Sequence, residues 1–117
     1  MMNEKSYQVI EDYNSNYTDP LVITKNEKLT IGEKLSEWSG WIWCTNRFGK
    51  SRWVPKSYIE INGKTCKVKQ DYEATELSVK IGDILIAEKE EADWILATNE
   101  RGKRGWVPLR NVKICEK

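Results

Sequence analysis

One segment of this sequence occurs twice. Residues 45–61 return 53 positions later as residues 98–114, and eight of the 17 aligned positions are identical. Average composition would give roughly one identity by chance. An internal repeat constrains the architecture more strongly than any single residue does. We therefore interpret the chain as one small module in duplicate, with a first copy at 1–61, a short linker at 62–65 and a second copy at 66–117.

The local patterns within each copy are those of short strands. Apolar and polar residues alternate at 28–31, 84–87 and 94–97, and no window of helical length shows an apolar period of 3.6. The segments 46–49 and 99–102 each begin with Asn and end with Gly, a pattern that favours a tight hairpin turn. Pro55 and Pro108 then end a strand, because proline donates no ladder hydrogen bond. Each copy is predicted to be all-β with about five strands, and the four-residue linker predicts that the copies touch.

The charge distribution excludes a strong global field. The net charge is +1, with eight basic and eight acidic residues in 1–61 and eleven and ten in 62–117. This balance favours neither nucleic acid nor a membrane as partner. No apolar run is long enough for a membrane helix, and the N-terminus lacks the apolar segment of a signal peptide. We expect a soluble cytoplasmic protein, and the Lys-, Asn-, Ile- and Glu-rich composition is more typical of a bacterial source.

Nothing in the sequence proposes a catalytic reaction. The chain has no histidine, so the usual general base near neutral pH is absent. No nucleophile elbow or phosphate loop is present. The three cysteines show no metal-ligand spacing, and we predict no enzyme activity, no cofactor and no metal.

The three cysteines are predicted to be reduced thiols. One alternative stays open for Cys66 and Cys115, which begin and end the second copy, because the first and last strands of many small barrels are neighbours. A disulfide there needs Cα atoms within about 7 Å. A reducing cytoplasm argues against it.

A series of short motifs occurs in the same order in both copies. It runs from Asp-Tyr through a leucine-containing strand and a tryptophan at a strand start to Trp-Val-Pro, and it covers nearly the whole chain. The series resembles SH3 domains of the Src-homology type. Its residues are 9–13, 19–21, 26–27, Trp41 and 53–59 in copy one, and 68–72, 76–78, 82–83, Trp94 and 105–112 in copy two. The resemblance implies two small five-stranded, partly open barrels in tandem.

SH3 domains typically bind proline-rich peptides, and this resemblance implies a groove in copy one. A polyproline II ligand is already ordered and fits slots between aromatic rings. By resemblance, the Trp41 indole N–H donates to ligand carbonyls, and Asp19 receives a basic ligand residue, with Asp12 as a weaker candidate. Strand alternation places Trp41 and Trp43 on one face, away from the core. The predicted peptide-binding residues are Tyr13, Asp19, Trp41, Trp53, Pro55 and Tyr58.

Copy two departs further from the family pattern. Glu11 and Gln70 replace the first groove tyrosine in the two copies, whereas Asn111 replaces the last one only in copy two. The first loop of copy two is also three residues shorter. Copy two therefore keeps a weaker second groove, and we predict that copy one binds the ligand while copy two serves docking or support. The residues of the weaker groove are Tyr72, Trp94, Trp106 and Pro108.

Three function classes remain open on these grounds. The predicted function is a non-catalytic protein-interaction module that binds a protein or peptide, proline-rich or otherwise extended. The alternatives are a structural or assembly protein whose grooves are self-covered, in which Trp53 and Trp106 are structural, and a nucleic-acid or cell-wall binder. Trp38 is expected either to anchor a loop or to form part of the groove rim. Basic hairpin tips give the nucleic-acid alternative its support, although solvated charges explain them as well. The tip residues are Arg47, Lys50 and Arg52, with Arg101, Lys103 and Arg104.

Overall fold

The computed structural model describes residues 5–19, 21–33 and 40–115, and it confirms the all-β prediction. Two short 3₁₀ helices, Lys56–Tyr58 and Leu109–Asn111, each follow the proline that ends a strand. No helix in the described ranges is long and apolar enough to cross a bilayer. The strands are β1 (Lys5–Val9), β2 (Val22–Ile23), β3 (Lys28–Ile31), β4 (Trp41–Thr45), β5 (Ser51–Pro55), β6 (Ile59–Asn62), β7 (Thr65–Val68), β8 (Tyr72–Glu73), β9 (Ile84–Glu91), β10 (Trp94–Thr98), β11 (Arg104–Pro108) and β12 (Val112–Ile114).

The chain forms two compact units whose limits differ from those of the sequence copies. The terminal unit combines Met1–Asp19 with Thr75–Lys117, and the central unit is Pro20–Ala74. Each unit contains one five-stranded sheet. Both sheets therefore have the strand number expected for a small SH3-like domain, but neither is made from one copy alone.

The sheet of the terminal unit has the order β11-β10-β9-β1-β12. The first strand of the chain lies inside it, because β1 pairs with β9 and β12 in antiparallel register, for example Tyr7 with Leu85 and with Ile114. A continuous core of buried apolar side chains lies against this sheet. Its members are Tyr7, Val9, Leu77, Val79, Leu85, Ala87, Ile95, Ala97, Val107 and Val112.

The sheet of the central unit repeats this arrangement with other strands. Its order is β5-β4-β3-β7-β6, so β7, the first strand of copy two, takes the place that β1 has in the terminal unit. The strand pairs include Leu29 with Cys66, and both side chains are buried. A small two-stranded sheet, β2 with β8, completes this unit.

The two copies have thus exchanged their first strands. The four residues 62–65, predicted as a linker, are a tight hairpin within the central unit, where Asn62 pairs with Thr65 and Gly63 adopts a positive φ of 66°. The tight hairpins predicted at 46–49 and 99–102 are present, and Asn46 and Asn99 close them by hydrogen bonds to Lys50 and Lys103.

A disulfide between Cys66 and Cys115 would require the first and last strands of copy two to be neighbours, and the exchange separates them. The last strand, β12, pairs with β1 and not with β7. Cys66 is buried in the central unit, Cys115 is exposed in the terminal unit, and both are free, as is Cys44. The prediction of three thiols agrees with this arrangement.

Candidate functional site

An aromatic cluster at the predicted groove positions of the central unit begins where β4 and β5 pair. Trp41 lies opposite Pro55, and Pro55 leads directly into the 3₁₀ helix that ends at Tyr58. The ring of Tyr58 meets that of Tyr72 edge to face, with centroids 5.2 Å apart. The Tyr72 hydroxyl donates to the carbonyl oxygen of Trp53 at 3.1 Å, which fixes this tyrosine against the edge strand. Four side chains of the types expected in an SH3 groove therefore assemble in one unit.

These groove side chains are almost completely covered. Trp41 is 7% exposed, Tyr58 4% and Tyr72 3%. A platform for a ligand needs open aromatic faces, so this degree of burial is the main structural argument for a covered groove. It also agrees with the alternative that the aromatic rings have a structural role.

A second tryptophan pair lies beside the groove and is only half-buried. Trp43 and Trp53 are direct cross-strand partners, and their rings meet edge to face at 4.9 Å. Directly paired residues project from the same face of a sheet, and every second pair shares that face. The Trp43–Trp53 pair therefore shares the face of Trp41 and Pro55. The opposite face carries the fully buried Val54, as strand alternation predicts.

A close contact holds Trp43 in place. A Cβ on Gly32 would lie 2.7 Å from Cδ1 of Trp43, so a larger residue at this position would have to displace the indole. The Gly32 N–H also donates to the Trp43 carbonyl oxygen at 2.7 Å. Trp43 is thus a positioned, partly accessible aromatic side chain. Trp43 is not among the predicted site residues, although its alternation with Trp41 in β4 is a sequence signal that indicates it.

The corresponding region of the terminal unit is arranged differently. Tyr13 meets Trp94 edge to face at 5.6 Å, and its hydroxyl donates to the Glu76 carboxylate, which also accepts from Ser15. Burial, and secondly the hydrogen bond and charge of Glu76, raise the pKa of Tyr13 well above its ordinary value. Tyr13 is therefore a neutral donor tied to a buried carboxylate.

Asn111 explains why copy two lacks the last groove tyrosine. The side chain is 4% exposed, and its Nδ2 donates to the carbonyl oxygens of Glu11 and Asp12 at 3.1 and 3.0 Å. An asparagine amide can bridge two backbone carbonyls, whereas a tyrosine hydroxyl has a single proton to donate. This residue holds the strand that enters from copy one.

Another chain segment occupies the edge of the terminal sheet. Leu77 donates to the Trp106 carbonyl oxygen, and the Trp106 N–H donates to Thr75, both at 3.0 Å. A Cβ on Gly105 would lie 2.8 Å from the backbone of this segment. Trp106 is 1% exposed, so its side chain is buried in the terminal unit.

The exchange of first strands divides the residues predicted for each groove. Trp41, Trp53, Pro55 and Tyr58 share the central unit, whereas Tyr13 and the exposed Asp19 belong to the terminal unit. The missing tyrosine is supplied from copy two, because Tyr72 directly follows the exchanged region. In the weaker groove, Trp94 lies opposite Pro108, and Trp106 shares their unit while Tyr72 does not. Trp38 lies outside the described residues.

The acidic side chains and the buried thiols of the described residues form no metal-binding group. No group of three or more His, Cys, Asp or Glu side chains in the described ranges has the spacing of a metal site. The two buried thiols, Cys44 and Cys66, face each other in the central unit, and burial raises the pKa of both. Thiols of this kind are poor nucleophiles because the reactive form is the thiolate.

Comparison with known proteins agrees with the resemblance. The family model of the variant SH3 domain matches the chain twice, at residues 6–62 and 65–115. An SH3 and F-BAR domain-containing protein of Dictyostelium discoideum is 24% identical over 126 aligned positions, which cover 96% of this chain and 24% of that protein. The chain thus spans about a quarter of this relative, and no solved structure matches it significantly. SH3 domains are in general non-catalytic protein-interaction modules. This chain belongs to the variant SH3 domain family and contains two copies of the domain, with their first strands exchanged.

Proposed function

We propose that the chain is a protein-interaction module whose ligand surface lies on the central unit. The observation that carries this proposal is the combination of Trp41, Pro55, Tyr58 and Tyr72 in one unit, beside the half-buried Trp43–Trp53 pair. The terminal unit lacks an equivalent, because Leu96 and the buried Trp106 take the positions of Trp43 and Trp53.

The ligand proposed for this surface is an extended peptide, rich in proline. Such a peptide has three residues per turn and no internal hydrogen bonds, so its ridges suit flat aromatic walls. The accessible part of the wall is the Trp43–Trp53 pair. The peptide first contacts this pair. It reaches Trp41 only if the residues that bury the Trp41 indole move aside.

An NMR titration tests this proposal. The ¹⁵N-labelled chain is titrated with a pool of proline-rich peptides, some flanked by arginine. We expect the indole signals of Trp43 and Trp53 to shift first, and that of Trp41 to follow. Trp43→Ala should weaken binding at least about tenfold, as expected for an aromatic side chain at the centre of an interface. Phe48→Ser is the matched control, because it removes an exposed aromatic ring of the same unit outside this surface.

The same experiment addresses the assignment of roles to the two grooves. If Trp94→Ala abolished binding while Trp43→Ala and Trp41→Ala left it intact, the ligand surface would lie on the terminal unit. That result would contradict the proposal.

The burial of Trp41, Tyr58 and Tyr72 favours a second candidate function, a structural or assembly protein with covered grooves. In that case no indole signal shifts at millimolar peptide. Hydrogen exchange would then show these three residues as protected as the sheet core.

A further inference from the structure

The central unit has a second surface that the aromatic groove does not include. A cleft of about 740 Å³ lies between the residues 21–28 on one side and the tip of the β4–β5 hairpin on the other. We call it the hairpin-tip cleft. The lining residues that matter for its chemistry are Val22, Lys25, Glu27, Lys28, Arg47 and Phe48.

The apolar part of the cleft is unusually open to solvent. Phe48 is 75% exposed and Val22 59% exposed. The hairpin tip that carries Phe48 is nevertheless well defined, since Asn46 Oδ1 accepts from the N–H groups of Phe48 and Lys50 at 2.9 and 3.0 Å. Large apolar side chains that meet at one concave surface are typical of an interaction site, whereas isolated ones need no explanation.

The polar part of the cleft is basic. Lys25, Lys28 and Arg47 are all exposed, and the Arg47 guanidinium lies 4.8 Å from the centre of the Phe48 ring. The acidic lining residue is Glu27, whose Oε1 accepts from the Thr24 N–H at 3.0 Å and thereby closes the turn. Three cations thus surround the apolar residues, and the carboxylate among them is already used within the turn.

The second copy shows that the fold does not require this surface. The equivalent positions of the terminal unit include a tight hairpin with the same closing hydrogen bonds but have reversed chemistry, with isoleucines for lysines and charged residues at the hairpin tip. Val22, Lys25, Lys28, Arg47 and Phe48 correspond to Ser78, Ile81, Ile84, Glu100 and Arg101. Packing therefore does not explain a phenylalanine or three cations at these positions, whereas ligand binding does.

We propose that the hairpin-tip cleft binds an acidic peptide segment that carries one large apolar side chain. The apolar side chain packs against Phe48 and Val22, and the flanking carboxylates face Lys25, Lys28 and Arg47. A single-stranded nucleic acid fits less well, since it stacks successive bases on several aromatic rings. Phe48 is the sole aromatic lining residue in the described part of the chain.

The test uses the whole chain and a defined probe. The ¹⁵N-labelled protein is titrated with a capped polyglutamate peptide that has one central phenylalanine. We expect shifts at the amides of Lys25, Lys28 and Phe48, and weaker binding as salt is added. Phe48→Ser should weaken binding at least about tenfold, and so should replacement of the peptide's phenylalanine by serine. Arg101→Ser, the same hairpin position in copy two, should leave binding unchanged.

Several results would overturn the proposal. One is tighter binding of oligothymidylate than of the peptide through the same amides, which would identify a nucleic-acid surface. Another is self-association that shifts these amides on dilution while the peptide shifts none, which would make a second copy of the chain the occupant. If Phe48→Ser bound the peptide with unchanged affinity, Phe48 would not be the apolar contact of the ligand. Displacement of the acidic peptide by a proline-rich one would place both ligands in the aromatic groove and leave the cleft without a role.

Discussion

The exchange of first strands can be tested with a single substitution. The N–H of Cys115 donates to the carbonyl oxygen of Ser6 at 2.8 Å, and the register of β1 with β12 makes these two residues direct partners. The Cα atoms of a hydrogen-bonded antiparallel pair are about 5.5 Å apart, which is within the range that a disulfide spans. Ser6→Cys should therefore form a disulfide with the native Cys115 under mild oxidation.

The stabilisation from this disulfide follows from the loop that it closes. The loop runs from residue 6 to residue 115, that is 115 − 6 = 109 residues. Loop-closure entropy for that length corresponds to an increase of about 5 kcal/mol in the free energy of unfolding. Guanidinium denaturation with and without a reductant measures the difference. Peptide mapping by mass spectrometry identifies the linked residues and shows that the link is within one chain.

A cross-link between positions 6 and 62 would refute the exchange of first strands. If each copy kept its own first strand, Ser6 would take the place of Thr65 and lie opposite Asn62. The variant with Ser6→Cys, Asn62→Cys and Cys115→Ser should form no intramolecular disulfide in the exchanged fold. Rapid cross-linking of 6 to 62, together with none between 6 and 115, would show that the sheets are built from single copies.

Three further predictions concern the buried groups. Burial raises the pKa of the Cys44 thiol, so a thiol reagent should modify Cys115 at once and the two buried cysteines only on unfolding; fast labelling of all three would contradict their burial. Burial and the neighbouring carboxylate raise the pKa of Tyr13, so the stability that this hydroxyl contributes is complete below its ordinary pKa of 10.0 and is lost as the pH rises above it. Ultraviolet titration should show that the Tyr13 hydroxyl is the last of the tyrosines to ionise. Tyr13→Phe should make the loss of stability at alkaline pH less steep. Gly105→Ala places a methyl group against the backbone of Leu77 and should cost about 1–3 kcal/mol in thermal unfolding; an unchanged melting temperature would show that the segment does not pack there.

The sequence predicted the positions of most elements of the fold. Both Asn-x-x-Gly hairpins and the two strand-ending prolines are where local chemistry places them, because turn geometry and the missing proline N–H act within a few residues. Alternation in β4 predicted that Trp41 and Trp43 face away from the core and that Ile42 and Cys44 face it. The structure agrees for the buried Cys44 and the half-buried Trp43, whereas Trp41 is buried and Ile42 is half-buried.

The sequence repeat could not predict which residues come together at each groove. Tyr13 and Tyr72 occupy equivalent positions in the two copies, so the repeat assigns each to the tryptophan of its own copy. The structure pairs Tyr13 with Trp94 and places Tyr72 beside Tyr58. Local sequence signals do not distinguish the two pairings, since the same motifs occur in the same order in both copies.

The sequence by itself determined a duplicated five-strand module with an aromatic surface, and the tertiary structure decided which first strand completes which sheet. Side-chain volume in the cores supplies the physical reason. Tyr7 of β1 shares its core with the small Ala87 and Ala97, whereas the smaller Cys66 of β7 lies with Cys44 in the other unit. The unexchanged arrangement would instead place the tyrosine beside Cys44 and the smaller thiol beside the alanines, and a change of core volume in either direction destabilises a packed core. Such complementarity exists only between strands that are distant in the chain, and only their packing reveals it.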